Sequence, residues 1–271
     1  ACHGRPVLCV DQTLEGVHFD PGTDPRLVGR KAAARALSDL AATAARPRAI
    51  LVALAAPRET SSKWIESVLA GARSMAQEHG ADLVGGDLAC ARGRVHIAVT
   101  AFGDTIGKRP PPARDRVRLG QAIVITGPVG GSRLGRHLRI QPRFDAARAL
   151  HAIGATGMMD VSDGLAFDLF RLARTSKVRI EIELSRVPVH ADARRLARKD
   201  GRNPIWHALH DGEDHELIAS MPPRAALSAA RRFSGLEIIG RAKAGSGLWL
   251  LDESGRAKRW RRTEGGFEHG T

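Results

Sequence analysis

Three consecutive prolines, Pro110–Pro112, sit inside GKRPPPARDR at residues 107–116. Proline fixes φ and has no N–H, so neither a helix nor a central strand runs through this stretch. It divides the chain into residues 1–110 and 111–271, and each side is long enough to be a domain. In the first part PVLCVDQ, AILVALAAP and RVHIAVTAFG read as strands, and ADLVGGD as a brief strand entering a glycine turn. Helical spacing covers Pro25–Ala45 and the stretch carrying Trp64, Ile65, Val68 and Leu69, which Ser61 and Ser62 can cap and Gly80 ends.

The second part repeats the mixture. AIVITG is a strand running into the glycine-rich GPVGGSRLG, and VRIEIEL, LEIIGRA, GLWLLD and AKRW are further strands. Asp145–Ile153, Asp163–Arg174 and Ala225–Arg232 read as helices, and DGEDHELIAS as a turn entering a strand. The expected class is α/β, mixed α+β, in two domains.

Charge and cysteine content narrow the function. No apolar run approaches the ~20 residues of a membrane span. The stretch ACHGRPVLCV lacks the sections of a signal peptide. Three cysteines without a C-x-x-C pair argue against a disulfide framework or a zinc site, so a reducing, cytoplasmic location is expected. The net charge of +13 suggests an acidic partner. Its arginines are scattered, however, and with 4% aromatics and no tyrosine there is little to stack on bases, which disfavours nucleic acid.

The chemistry lies in aspartates placed beside turns. Asp11 follows PVLCV, Asp87 closes LVGGD, Asp160 and Asp163 flank Ser162 in DVSDGL, and Asp214 lies in DGEDHEL. Asp39 sits among apolar positions of ARALSDLAA, where a charge needs a partner or a metal. Salt bridges to the many arginines and helix capping compete with a ligand role for each of them. Convergent carboxylates without a His/Cys cluster suit magnesium or calcium, and magnesium implies phosphate chemistry. The GPVGGS turn at 127–132 offers backbone N–H groups for a phosphate, although it lacks the Walker A pattern. His18, beside Phe19 in EGVHF, can serve a substrate or the core.

The set EGVHF, SDLAA, GGD, DVSDGL, GEDHEL and the terminal GFEH, in that order, resembles thiamine-monophosphate kinase of the aminoimidazole ribonucleotide synthetase-like ATP-binding superfamily. The resemblance implies an N-terminal sheet domain that pairs in a homodimer and a C-terminal α/β domain. It also implies transfer of the terminal ATP phosphoryl group to thiamine monophosphate. Asp11, Asp39, Asp87 and Asp160 would hold magnesium around the ATP phosphates, and Asp163 a further ion. Gly86, Asp87, Arg114 and Ser162 match ATP-contacting positions; His18, Glu213 and Phe267 match thiamine-phosphate contacts, with Phe267 able to stack on the thiamine ring. Asp39, Asp163 and Arg114 would be the catalytic set. The nucleophile is already an anionic phosphate oxygen, so no general base is needed.

Departures from the family pattern are Cys9 and Val10 where hydroxyls precede Asp11, Ala36 for Asn, Thr43-Ala44 for Met-Gly, and His215 for Tyr. A Gly-Asp-Asp segment normally precedes the first strand, so a trimmed N-terminus is expected. Two rival readings are a family member that binds nucleotide or a partner without turnover, and a basic nucleic-acid-binding protein.

Overall fold

A computed structural model describes residues 4–264. It divides into two compact units: the first runs to Pro110 and takes in His137–Phe144, and the second comprises Pro111–Arg136 and the chain from Asp145 onward.

The first unit is a four-stranded sheet backed by two helices. Its strands are β1 (Pro6–Leu14), β2 (Arg46–Ala56), β3 (Asp82–Cys90) and β4 (His96–Asp104), in the order β1-β4-β2-β3. Both pairs that β4 makes are antiparallel, whereas β2 and β3 run parallel. The crossover that parallel strands require is α2 (Ser62–Glu78), and α1 (Pro25–Ala42) packs beside it. Local signals start both helices: Asp24 accepts the Arg26 N–H ahead of Pro25, and Ser61 accepts the Trp64 N–H. α1 stops at Ala42, three residues short of the spacing-based expectation, because Thr43 bonds back to the Leu40 carbonyl and Ala44 turns left-handed. The core lies on one face of the sheet, where Ile50, Val52, Ile97 and Val99 meet Leu37, Leu40, Val68 and Met75.

The opposite face carries no element of this unit. Leu8 stands opposite Phe102, and Val10, Thr100 and Leu51 form one row across three strands. Leu8 and Val10 are 66% and 64% exposed.

The expected glycine turn in LVGGD is not a turn. Gly85, Gly86 and Asp87 lie within β3. At Gly86 a Cβ would stand 1.9 Å from the Val52 carbonyl oxygen, so glycine there lets β3 lie tight against β2 rather than reverse the chain.

The second unit is built on a seven-stranded sheet of order β11-β10-β7-β9-β5-β8-β6. These are β5 (Ala122–Ile125), β6 (Gly157–Asp160), β7 (Arg179–Glu183), β8 (Leu217–Met221), β9 (Glu237–Lys243), β10 (Gly247–Leu251) and β11 (Ala257–Arg259). The helices are α3 (Phe144–Ala152), α4 (Leu165–Thr175), α5 (Ala191–Asp200), α6 (Pro204–His210) and α7 (Pro223–Arg232). Leu165, Leu169 and Leu172 of α4 reach a core of Ile123, Met159, Ile180 and Ile218, joined by Trp260. The two sheets and their helices make the chain a mixed α/β protein.

Candidate functional site

In the second unit, three motifs distant in sequence are stitched into one loop cluster. After β6 the chain turns through Val161–Gly164. The Val161 N–H donates to the Glu216 carbonyl, the His215 N–H returns to Val161, and the Glu213 N–H donates to the Ser162 carbonyl at 2.7 Å. Gly212, Glu213 and His215 all have positive φ, between 52° and 71°. Two of these are not glycine, and such backbone persists only where neighbours over-determine it. Here the winding buries Asp214 while Glu213 stays partly exposed.

Asp214 is tied to the glycine-rich turn. Both of its oxygens accept the Gly130 N–H, at 3.0 and 2.9 Å, and Arg136 donates to it at 2.8 Å. Asp211 accepts the Gly131 N–H, and Ser132 Oγ donates to the Gly212 carbonyl. This corrects the expectation that the turn at 127–132 offers its amides to a phosphate. The amides of Gly130 and Gly131 are already committed to carboxylates, so the turn is a structural clasp. Burial drives the Asp214 carboxyl up to about 6 against the opposing pull of Arg136 and the Gly130 amide.

Asp160 and Asp163 are buried in the same cluster. Asp160 Oδ2 lies 2.9 Å from His215 Nδ1, so that nitrogen carries the proton in this pair. Asp163 is ion-paired with Arg171, whose guanidinium lies over the Phe167 ring. Neither Ser162 nor Asp163 caps α4. The helix begins at Leu165, two residues later than its spacing suggests, with Gly164 at its N-cap and no capping side chain. The loop is instead held by Asp168, which is wholly buried. Its Oδ2 accepts the N–H groups of Ser162 and Asp163, each at 3.0 Å. Burial, and then the charges of Asp163 and Asp160, push the Asp168 carboxyl well above the usual range.

Asp168 and Arg171 were not singled out from the sequence, although a polar pair inside the apolar run LAFDLFRLA is the signal that could have found them. Arg114 is exposed at the start of this unit, and its carbonyl accepts from Ser176 Oγ.

In the first unit the expected residues divide between the two faces of the sheet. Asp11 pairs in register with Val99, on the face covered by the helices. There Arg35 of α1 grips it through two nitrogens, each 3.0 Å from one of its oxygens. Asp39 follows Arg35 by one turn and is half-buried. Asp87 pairs with Ala53, in a row with Ala98 and Gln12 on the opposite face. Asp11 and Asp87, expected to converge, therefore point to opposite sides of the sheet.

His18 is buried. Its Nδ1 accepts the Leu14 N–H at 3.0 Å, and its carbonyl accepts from the buried Lys31 ammonium. Gly86 and Asp87 border a cleft of about 390 Å³ whose walls are Val52, Leu54, Ile65 and Leu69, with Arg73 at its side. Phe267 and the GFEH motif lie outside the described residues.

Among the described residues no group of three or more His, Cys, Asp or Glu side chains forms a protein-only metal cage. Magnesium does not require one. It takes one or two carboxylates and completes its shell with water and substrate phosphate, and the donors present are hard carboxylate oxygens. The residues fit that ion in kind.

Comparison with known proteins agrees with the architecture. Residues 3–105 match the family model "AIR synthase related protein, N-terminal domain", and residues 118–250 match "AIR synthase related protein, C-terminal domain". The thiamine-monophosphate kinase of Rhodopirellula baltica is 37% identical, over 90% of this chain and 78% of that protein. The Mycobacterium tuberculosis thiamine-monophosphate kinase is 36% identical, over 80% of this chain and 70% of that one. Among solved structures, AaThiL complexed with AMPPCP and TMP superposes with a TM-score of 0.89 at 29% identity, covering 100% of this chain and 89% of that one. Hydrogenase maturation protein HypE shares the fold, with a TM-score of 0.80 at 21% identity.

Proposed function

Because this chain belongs to the thiamine-monophosphate kinase family, we propose that it transfers the terminal phosphoryl group of ATP to the phosphate of thiamine monophosphate, giving thiamine diphosphate. The observation that carries this reading is the likeness along the whole chain to a structure solved with AMPPCP and TMP. ATP is the co-substrate, and magnesium is the proposed metal. Each unit would contribute its own ligands: Asp160 and Asp163 in the second, and in the first Asp87 on one face of the sheet and, separately, Asp11 and Asp39 on the other. When bound, magnesium offsets the charge of the phosphate oxygens.

The chain's own residues then have positioning roles. The accepting phosphate oxygen is anionic, so no side chain need remove a proton, and the barrier falls through alignment and charge neutralisation. Gly86 and Asp87, beside the apolar cleft, suit a nucleotide base and its phosphates. Packing against Val52 already requires glycine at 86, so nucleotide contact would be a second use of that position. Arg114, exposed and permanently charged, suits a phosphate, and Ser162 would contact ATP. His18 and Glu213 are proposed thiamine-phosphate contacts, with Phe267 stacking on the thiamine ring. Accepting the Leu14 amide at Nδ1 sets the His18 tautomer with its proton on Nε2.

The test is thiamine diphosphate formation from thiamine monophosphate, ATP and magnesium. Product above a no-enzyme control supports the reading. ATP binding without product would favour a family member that does not turn over.

We also propose that the chain pairs with a second copy through the apolar outer sheet face, where Leu8, Val10 and Leu51 stand exposed. Sedimentation is expected to find twice the chain mass, and Val10→Glu to give monomers. A monomeric wild type would refute the pairing. The cytoplasm is the proposed location; among the described residues no helix is long and apolar enough to cross a membrane.

A further inference from the structure

We propose that Asp168 is a positioning residue for phosphoryl transfer: by accepting the amide hydrogens of both Ser162 and Asp163, it sets where the Asp163 carboxylate stands. The inference rests on the kinase reading of that loop.

The alternative is an acid in the first turn of α4 that merely complements the helix dipole. The bonds argue otherwise. They run to residues 162 and 163, which precede the Gly164 N-cap, and not to the free amides of the helix itself. The Ser162 carbonyl is meanwhile held by the Glu213 N–H. The peptide groups on both sides of Ser162 are therefore fixed, one from α4 and one from the GEDHEL loop. With both fixed, the direction in which the Asp163 side chain leaves the backbone is fixed too. Arg171, 3.4 Å from Asp168 Oδ1, is also the ion-pair partner of Asp163, so one buried acid anchors the backbone of Asp163 and the cation beside its side chain. A carboxylate wholly removed from water is costly, and it is retained here where its acceptors organise a loop. Partners one shell behind a metal ligand affect affinity in just this way.

Two variants separate the role from general stability. Asp168→Asn keeps an oxygen able to accept both amides, while Asp168→Leu keeps the volume and removes the acceptor. Mn2+ binding, read by the loss of the free-ion electron paramagnetic resonance signal in the presence of AMPPCP and without thiamine monophosphate, is the primary measurement. The Leu variant is expected to bind about tenfold or more weakly, and the Asn variant within about threefold of wild type. In the kinase assay kcat should fall in the Leu variant while KM for thiamine monophosphate moves by less than about threefold.

A folded Leu variant with wild-type Mn2+ binding, or equal losses in both variants, overturns the proposal. Should the Leu variant not fold, amide hydrogen exchange at Ser162 and Asp163 of the wild type decides: slow exchange supports the clamp, and exchange at open-loop rates overturns it. A wild type that makes no thiamine diphosphate would instead overturn the kinase reading, which the Mn2+ measurements do not depend on.

Discussion

Asp163→Ala is expected to lower kcat for thiamine diphosphate formation by about a thousandfold, on the order of 4 kcal/mol of transition-state stabilisation. The reasoning starts from charge. Asp163 is buried, its carboxylate faces Arg171, and Asp160 and Asp168 are near enough to bias the same local potential. Removing it takes from the Arg171 guanidinium one of its two acidic partners, leaving Asp168, and takes one hard oxygen from the proposed magnesium site. The fold should survive, because the loop backbone is held through the amides of Ser162 and Asp163 rather than through the Asp163 side chain. Steady-state kinetics at saturating ATP and magnesium, with circular dichroism as the folding control, would check it. A folded variant within about tenfold of wild type would remove Asp163 from the catalytic set.

The second large effect concerns stability and pH. An ordinary aspartate titrates near 3.8, and burial holds Asp214 at about 6. Between those values the folded protein binds more protons than the unfolded chain, so stability falls as pH rises. The contribution is most favourable below 3.8 and is lost as pH passes through about 6, a difference of about 3 kcal/mol. Asp214→Asn should keep an acceptor for the Gly130 amide and abolish this dependence. Urea unfolding of both proteins from about pH 4 to about pH 7 should show the wild type losing about 2.4 kcal/mol of that relative to the variant. A constant difference across that window would mean that Asp214 does not carry the strain of the clasp. Asp214→Ala is the harsher change. It deprives the Gly130 amide and Arg136 of their shared acceptor, and breaking a buried pair in this way costs about 3 kcal/mol or more.

These two residues show why a motif can be legible while its working is not. DVSDGL and GEDHEL stand out as acidic clusters beside apolar runs. Nothing local says that Asp214 binds an amide 84 residues away, or that Asp160 meets a histidine 55 residues on. The glycine-rich turn failed for the same reason. Its amides read as available because their acceptors, Asp211 and Asp214, lie about 80 positions downstream in the chain. Asp168 was hidden by its neighbours, since an acid in the first turn of an apolar helix looks like ordinary dipole complementation.

What the sequence by itself determined is what neighbouring residues decide. Apolar periodicity marked the strands and helices, Asp24-Pro25 and Ser61 set where α1 and α2 begin, and the order of acidic motifs identified the family. Only the tertiary structure decided the faces. A strand shows alternate residues to opposite sides, so one step of register moves a side chain across the sheet. A register shift at Ile50/Leu51 sets the pairing of β3 with β2, and Asp87 accordingly faces away from Asp11. Tertiary structure also decided which carboxylates meet arginines and which take amides, because those partners converge only when distant segments pack and burial makes each unpaired charge costly.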